Sequence, residues 1–288
     1  MAALAGHAPA KVNLFLHVGR AQSDGYHPLA SLVAFADVGD GLVVEAAERL
    51  SLTVTGPFAG GLDGEGDNLV LRALRLLGEA AGIGAPPLAV TLDKRLPIAA
   101  GLGGGSADAG AALKLARDAL GLALDDEALA GIAGAVGADG PMCLHARAAW
   151  VGGRGDRLNF EPALPPLPCL LVNPGVPSLT ASVYRAYDAG PPLEADQPPP
   201  PLDWSPAAVV AWLAGQRNDL QAPAVALQPA IGQALAAVEA LPGARLARMS
   251  GSGATAFALF DTREAAVEAG RRLEAAHPDW WIQPAVLS

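Results

Sequence analysis

The chain has 288 residues, of which 51% are hydrophobic and 17% charged, and its formal net charge at pH 7 is −10. This apolar content is enough for the buried cores of one large or two moderate domains, which excludes a largely disordered chain. The acidic balance argues against a nucleic-acid surface, and no apolar stretch approaches the ~20 residues that span a bilayer, so we expect neither nucleic acid nor membrane as a partner.

The first predicted element is a strand over residues 10–18, because polar and apolar residues alternate there. The alternation puts Lys11 and Asn13 on the same face, roughly 7 Å apart. A solvent-exposed lysine at a strand end is the other interpretation of Lys11. Asp24 and Gly25 form a turn signal after this strand, so Tyr26 and His27 would be ordinary residues of a polar hairpin unless a ligand uses them.

Alternating or apolar runs predict further strands over residues 29–37, 41–47, 50–55 and 87–93. A helix is predicted over residues 68–81, because Val70, Leu74 and Leu77 recur at helical spacing. Asp67 is the expected cap of this helix.

A glycine-rich loop follows, with the sequence Pro97, Ile98, Ala99, Ala100, Gly101, Leu102, Gly103, Gly104, Gly105, Ser106 and Ala107. Glycine allows a ligand close to the main chain, and a helix start directs free N–H groups at it, so this arrangement suits a phosphate. An ordinary flexible connection is the alternative. The preceding strand and a helix over residues 106–120 favour a nucleotide phosphate, although the absence of lysine between Arg95 and Ala112 excludes a Walker P-loop.

Individual side chains near this loop have two interpretations each. Ser106 either caps the helix or offers its hydroxyl to phosphate. Lys94 and Arg95 precede the loop, and a solvated pair is the default expectation for them. After the loop we expect a helix capped by Asp125 and then a strand over residues 142–151. Asp139 lies between them, where a plain turn residue is the alternative to a catalytic role.

The second half predicts a strand at 169–173, helices within 180–240, strands at 244–249 and 254–260, a helix at 263–276 and a strand at 280–286. That order suggests a ferredoxin-like α+β domain. We place the domain boundary after residue 156, which gives domains 1–156 and 157–288. The proline run at 197–201 is expected to be an extended surface loop.

The two cysteines, Cys143 and Cys169, have apolar neighbours and predict free buried thiols in a reducing, cytoplasmic compartment. The five scattered histidines have no metal-ligand spacing, so we expect no metal site made of protein side chains. Sequence alone does not fix the oligomeric state, and our expectation is a monomer or a weak homodimer.

Three segments together resemble the signature motifs of the GHMP kinase superfamily: residues 9–14, residues 97–108 and residues 249–255. Within this family, residues 24–29, the triple glycine at 103–105 and residues 173–175 are similar to a branch whose substrate is a small alcohol carrying cytidine diphosphate. The resemblance implies two α+β domains: an N-terminal ribosomal-protein-S5-like domain that binds ATP, and a C-terminal ferredoxin-like domain.

The resemblance also implies the site. ATP, accompanied by Mg²⁺, would lie along residues 97–107, and Lys11 and Asp139 would be the catalytic residues. Substrate would contact the following residues: Asn13, Tyr26, His27, Tyr184, Gly251, Ser252 and Gly253. Ala107 stands where many relatives have a second serine, which would weaken one phosphate contact, and Gly140 replaces an apolar residue, which would loosen the loop at Asp139. A homoserine-type or mevalonate-type kinase, or a catalytically silent nucleotide-binding relative, is the alternative.

Overall fold

The computed structural model describes residues 3–62 and 68–288. The chain divides into two compact units: the first contains residues 1–10, 39–98 and 103–146, and the second contains residues 11–38, 99–102 and 147–288. The predicted boundary after residue 156 cuts the sequence once, whereas each of these units contains three separate segments. The boundary therefore stays a prediction.

In the described residues the strands are β1 Leu4–Val18, β2 Leu29–Ala46, β3 Ser51–Thr55, β4 Leu88–Asp93, β5 Ala149–Gly152, β6 Arg157–Phe160, β7 Leu167–Asn173, β8 Leu246–Met249, β9 Ala256–Leu259 and β10 Trp281–Leu287. The α-helices of the same residues are α1 Leu69–Ala80, α2 Gly104–Leu120, α3 Asp126–Val136, α4 Gly140–His145, α5 Thr180–Asp188, α6 Pro206–Ala214, α7 Gln221–Leu227, α8 Pro229–Glu239 and α9 Arg263–Ala276.

In the first unit, the second half of β2 pairs antiparallel with β4, and β3 pairs parallel with β4. The helices α1 to α4 pack against one another. Helix α1 buries Val70, Leu74 and Leu77, as its apolar spacing predicts. Asn68 caps this helix by accepting a hydrogen bond from the Val70 amide (2.9 Å), whereas the predicted cap Asp67 lies outside the described residues.

In the second unit, the strands after residue 166 form an antiparallel sheet in the order β10-β7-β9-β8. Numbered from β7, this is the order four, one, three, two of a split β-α-β arrangement, so the ferredoxin-like prediction is confirmed. Helices α8 and α9 bury the apolar residues of this sheet, among them Leu170, Val172, Ala258 and Ile282. In the same unit, the first half of β2 pairs with β5, and β5 pairs with β6.

Two element predictions were wrong. The strand expected over residues 142–151 is helix α4 followed by the short strand β5, because Pro141 suits a first helical turn and the segment up to His145 lacks alternation. The expected break between strands 29–37 and 41–47 is absent. Gly39 does not end β2 but lets β1 approach it: a Cβ at Gly39 would lie 2.1 Å from the Ala8 carbonyl oxygen.

Both cysteines are buried thiols that form no disulfide, as expected. Burial raises the pKa of the Cys169 thiol, which makes it an inert core residue. Among residues 3–62 and 68–288, no helix combines the length and the apolar character needed to cross a membrane.

Candidate functional site

The phosphate cradle, which we define as Gly103, Gly104, Gly105 and Ser106, lies at the start of α2 in the first unit. Gly103 is the N-cap of this 17-residue helix and has a left-handed backbone (φ 64°), which glycine adopts without strain. No side chain of the described residues caps the helix. The first amides of α2 and the positive end of its dipole are therefore available to an anion.

The prediction that Ser106 caps α2 was wrong. The helix starts two residues earlier than expected, which makes Ser106 its third residue. Its hydroxyl is therefore not the cap, and its predicted contact with phosphate stays a prediction. Ala107, the next residue, is buried within the helix packing.

The preceding part of the loop, residues 99–102, belongs to the second unit and contacts both other signature segments there. The Lys11 amide donates to the Leu102 carbonyl (2.8 Å), and the Ser250 hydroxyl donates to the Gly101 carbonyl (2.9 Å). A Cβ at Gly101 would lie 2.4 Å from the Ser250 carbonyl oxygen. Residues 11–14, 99–102 and 249–255, which are parts of the three signature segments, thus meet in the second unit. Pro97 and Ile98 lie in the first unit, buried and half-buried.

Lys11 is only 5% exposed, so its interpretation as a solvent-exposed strand-end lysine was wrong. Its ammonium donates to the Asn13 side-chain oxygen (2.8 Å). Asn13 in turn donates through its side-chain amide to the Ser31 hydroxyl (2.8 Å) and through its backbone amide to the Ser250 hydroxyl (3.1 Å). The alternation predicted for β1 thus places Lys11 and Asn13 side by side, and hydrogen bonds fix their orientation.

Asp139 occupies the N-cap position of α4 in the first unit, and its side chain does not cap that helix. The neighbouring Gly137 lies close to Ser106, because a Cβ at Gly137 would be 3.8 Å from the Ser106 hydroxyl. The Cys143 thiol contacts the Gly103 carbonyl (3.8 Å). These contacts join the Asp139 segment to the phosphate cradle. Lys11 belongs to the second unit, and its predicted pairing with Asp139 stays a prediction.

Gly140 is the residue at which the sequence departs from the family pattern, and its packing is close. A Cβ there would lie 2.0 Å from the Ala133 carbonyl oxygen of α3. The expectation that glycine loosens this loop is therefore not supported, because glycine is what lets α4 start against α3.

The turn at Gly251, Ser252 and Gly253 is buried and held by side chains that the sequence reasoning missed. The Asn218 amide group donates to the carbonyls of Met249 and Gly251, each at 2.8 Å. The hydroxyls of Ser178 and Thr180 hydrogen-bond Ser252 through its carbonyl (2.6 Å) and its hydroxyl (2.9 Å). The sequence shows two hydroxyl residues in the run Pro177-Ser178-Leu179-Thr180. Nothing in that run indicates that they hydrogen-bond Ser252, which lies 74 and 72 residues further along the chain.

His27 and Tyr184 lie together in the second unit, with ring centroids 4.8 Å apart. The His27 Nε2 atom hydrogen-bonds the Asp188 carboxylate (2.7 Å), a partner that the sequence did not indicate. Tyr26 is 55% exposed, and the Arg154 guanidinium lies over its ring at 4.8 Å. The structure therefore joins two of the three predicted base-binding side chains directly and leaves the third ring accessible.

The expectation of a solvated Lys94–Arg95 pair was half wrong. Arg95 is exposed, but Lys94 is 3% exposed and donates to Asp40 and Asp108, each at 2.6 Å. Burial acts to lower the pKa of Lys94, but the two carboxylates outweigh it and raise that pKa. Burial also raises the pKa of the Asp108 carboxyl to about 7, against the opposing effect of Lys94. An aspartate within an alanine-rich helix was the available signal.

The described part of the chain contains no group of three or more His, Cys, Asp and Glu side chains that would hold a metal ion.

Comparison with known proteins gives consistent matches. The family described as GHMP kinases N terminal domain matches residues 68–147, and GHMP kinases C terminal matches residues 209–279. A 4-diphosphocytidyl-2-C-methyl-D-erythritol kinase of Caulobacter vibrioides is 51% identical over 288 residues, covering 99% of each chain. A kinase of the same name from Methylobacterium radiotolerans is 51% identical over 292 residues, covering 100% of each chain.

Two solved kinase structures are also similar to this chain. The crystal structure of a 4-(cytidine 5'-diphospho)-2C-methyl-D-erythritol kinase has a TM-score of 0.78 at 35% identity, covering 99% of each chain. The Methanococcus jannaschii mevalonate kinase has a TM-score of 0.67 at 12% identity, covering 100% of this chain and 99% of that one, which shows a shared fold alone.

Proposed function

This chain belongs to the 4-diphosphocytidyl-2-C-methyl-D-erythritol kinases of the GHMP kinase family, and from that membership we propose its reaction. It transfers the γ-phosphoryl group of ATP to the 2-hydroxyl of 4-diphosphocytidyl-2-C-methyl-D-erythritol. The products are the 2-phosphate and ADP, on the methylerythritol phosphate route to isoprenoid precursors.

The uncapped start of α2 is the structural observation that carries the proposal. Three consecutive glycines leave the backbone of the phosphate cradle open to a ligand, and no described side chain competes for its amides. A polyphosphate bound there would be held by N–H groups and the helix dipole, which serves an acidic protein with few lysines. The Ser106 hydroxyl would donate a further hydrogen bond to the phosphate. The rest of the loop, residues 97–102, would lie along the nucleotide.

Mg²⁺ would come with the nucleotide. The described side chains do not form a cage of their own for a divalent cation, and Mg²⁺ commonly keeps phosphate oxygens and waters as ligands. When bound it would neutralise phosphate charge; no residue is assigned to hold it.

At the reacting centre, we assign Asp139 to the substrate hydroxyl and Lys11 to the phosphate charge. The hydroxyl oxygen forms a bond to the γ-phosphorus, the bond from that phosphorus to the bridging oxygen of ADP breaks, and the hydroxyl proton passes to the Asp139 carboxylate. The support for Asp139 is a carboxylate that does not cap its own helix and a backbone joined to the cradle. The support for Lys11 is a buried ammonium that Asn13 holds in place.

The cytidine base would bind at His27, Tyr184 and Tyr26. Aromatic rings stack on a base, and an imidazole held by a carboxylate presents its other ring nitrogen in a fixed direction. The contacts of His27 with Asp188 and Tyr184 support this role. Gly251, Ser252, Gly253 and Asn13 would contact the rest of the substrate, since a turn without bulky side chains admits a ligand close to the backbone.

We place the enzyme in the cytoplasm, which the two free, buried thiols support. A monomer or a weak homodimer is our expectation for its assembly.

The test is ADP release by the purified protein with three alcohols separately: the cytidine diphosphate substrate, homoserine and mevalonate. We expect turnover with the first alone, and phosphorus NMR should show a new phosphomonoester on it. Turnover of homoserine or mevalonate without the cytidine substrate would assign a different kinase of the same fold. ATP binding without ADP release from any alcohol would identify a silent relative.

A further inference from the structure

A buried ionic cluster in the first unit has no part in the proposed reaction. Its members are Lys94, Asp40 and Asp108, exposed by 3%, 0% and 2% respectively. The Lys94 ammonium donates to both carboxylates at 2.6 Å. Burying three charged groups is costly, and removing one partner of such a cluster leaves the others uncompensated. The cost of burying this cluster therefore raises the question of which part of the protein it positions.

The cluster joins the two chain segments on either side of the loop. Asp40 accepts hydrogen bonds from the amides of Arg95 (2.6 Å) and Leu96 (2.8 Å), where the chain enters the loop. Asp108 is the fifth residue of α2, where the chain leaves it. One ammonium thus ties the entry of the loop to the first turns of the helix.

The ammonium also lies directly against the phosphate cradle. A Cβ at Gly104 would be 3.1 Å from the Lys94 nitrogen and 3.7 Å from an Asp40 oxygen. The position of the Lys94 nitrogen therefore limits where the Gly104 backbone can lie. A shift of the cluster would shift the first amides of α2.

One atom of the cluster is unsatisfied. Among the described residues, the Asp108 Oδ1 atom is buried without a hydrogen-bond partner. The start of α2 is closely packed: the Leu69 side chain of α1 lies near Gly105, and the Leu144 backbone of α4 lies near Gly110. An unpaired buried polar atom costs free energy, and this chain retains that cost together with the Lys94–Asp108 pair.

We propose that Lys94 and Asp108 are positioning residues for ATP: through Asp40 they fix the entry of the loop against the start of α2 and so hold the cradle amides in phosphate-binding geometry. This inference rests on the proposed function, because it assigns the cradle to ATP phosphates. In this proposal Lys94 contacts Asp40 and Asp108 and does not itself bind phosphate.

The experiment measures ATP affinity by calorimetry and steady-state constants for four variants: Lys94→Met, Asp108→Ala, Asp108→Asn and the control Asp118→Asn. Asp118 lies on the same helix but on the surface, paired with Arg117. We expect Lys94→Met and Asp108→Ala to raise the Kd for ATP about tenfold to a hundredfold, as a displaced binding group does. The KM for the cytidine substrate should change little.

Asp108→Asn supplies the decisive comparison. Its side-chain oxygen still accepts from Lys94, so it should restore the Kd to within about threefold of wild type. A second control, Arg95→Met, removes an exposed side chain that pairs with Asp93 and leaves the backbone hydrogen bond to Asp40 in place, so it should bind ATP as wild type does.

Three outcomes would overturn the inference. ATP affinity equal to wild type in folded Asp108→Ala would mean that the cluster stabilises the fold without positioning the cradle. A Kd for Asp108→Asn as weak as that of Asp108→Ala would mean that the tie to Lys94 is not what matters. An equal rise in the substrate KM would indicate a general disturbance. Because the readout is ATP binding, a wild type that binds ATP but phosphorylates no alcohol defeats the proposed function and still allows this test.

Discussion

Single residues of this chain carry distinct chemical roles because their surroundings differ. Lys11 is buried and held by a neutral amide, whereas Lys94 is buried between two carboxylates. The two carboxylates offset the charge of Lys94, and in the proposed reaction Lys11 acts on the charge of the phosphate. The two lysines are similarly buried but have different surroundings, and we propose a binding role for Lys11 and a positioning role for Lys94.

Asp139→Asn should separate chemistry from binding. The asparagine keeps the size of the side chain but accepts no proton, so kcat should fall about 10²–10⁴-fold while the Kd for ATP changes little. Stopped assays for kcat and calorimetry for ATP binding check this. Asp125→Asn is the matched control, because Asp125 only caps α3 and its loss should leave kcat unchanged. Equal losses of ATP affinity and rate in Asp139→Asn would contradict the role.

Tyr26→Ala should act on substrate binding alone. The ring is exposed, and stacking of a base on it is worth about 1–3 kcal/mol, so the KM for the cytidine substrate should rise about 5- to 150-fold. The control is Tyr26→Phe, which keeps the ring and should keep the KM. A loss in kcat with an unchanged KM would argue against base stacking. Initial-rate measurements at saturating ATP decide between the two.

At the scale of elements, the start of α2 and the start of α4 explain why site residues lie where they do. Serine is a common N-cap, so the sequence pointed to Ser106, but the left-handed Gly103 ends the loop and the helix begins at Gly104. Pro141 similarly starts α4 where a strand was expected. The first difference concerns the residue at which a helix begins and the second the type of element, and the conformations that glycine and proline favour account for both.

Gly140→Ala should disturb both stability and rate. Its Cβ would meet the Ala133 carbonyl at 2.0 Å, so α4 must move away from α3, at about 1–3 kcal/mol of the free energy of unfolding. Asp139 moves with it, and kcat should fall. Gly131→Ala in the adjacent α3 is the control, since a Cβ there meets nothing within 4 Å and alanine favours helix by about 0.5–1 kcal/mol. Urea unfolding and kcat of both variants give the comparison; a more stable Gly140→Ala would refute the close packing.

At the scale of the whole molecule, the sequence predicted what local pattern encodes. Alternation located β1 and β4, and the element order gave the ferredoxin-like sheet. The glycine loop with its strand and helix indicated phosphate binding. Local sequence patterns could not reveal residues that become hydrogen-bond partners only when the chain folds, such as Asp40 and Lys94. Nor could it reveal that buried Arg248 donates to the carbonyls of Leu14, Leu213 and Gln216, residues up to 234 positions away.

The stability of the protein should depend on pH through Asp108. Its pKa is raised to about 7 in the folded chain from an ordinary value of 3.8, so the folded state holds more protons than the unfolded state between those values. The contribution of Asp108 to the free energy of unfolding is therefore largest below pH ~4, falls by about 1–4 kcal/mol as the pH rises to ~7, and is level above.

Asp108→Asn removes this titration, so its stability relative to wild type should rise across the same interval. Urea unfolding of wild type, Asp108→Asn and the exposed control Asp118→Asn at several pH values measures the difference. Groups that titrate alike in all three proteins cancel from that difference. Parallel curves for wild type and Asp108→Asn between pH ~4 and ~7 would mean that Asp108 is ionised throughout and that Lys94 outweighs its burial.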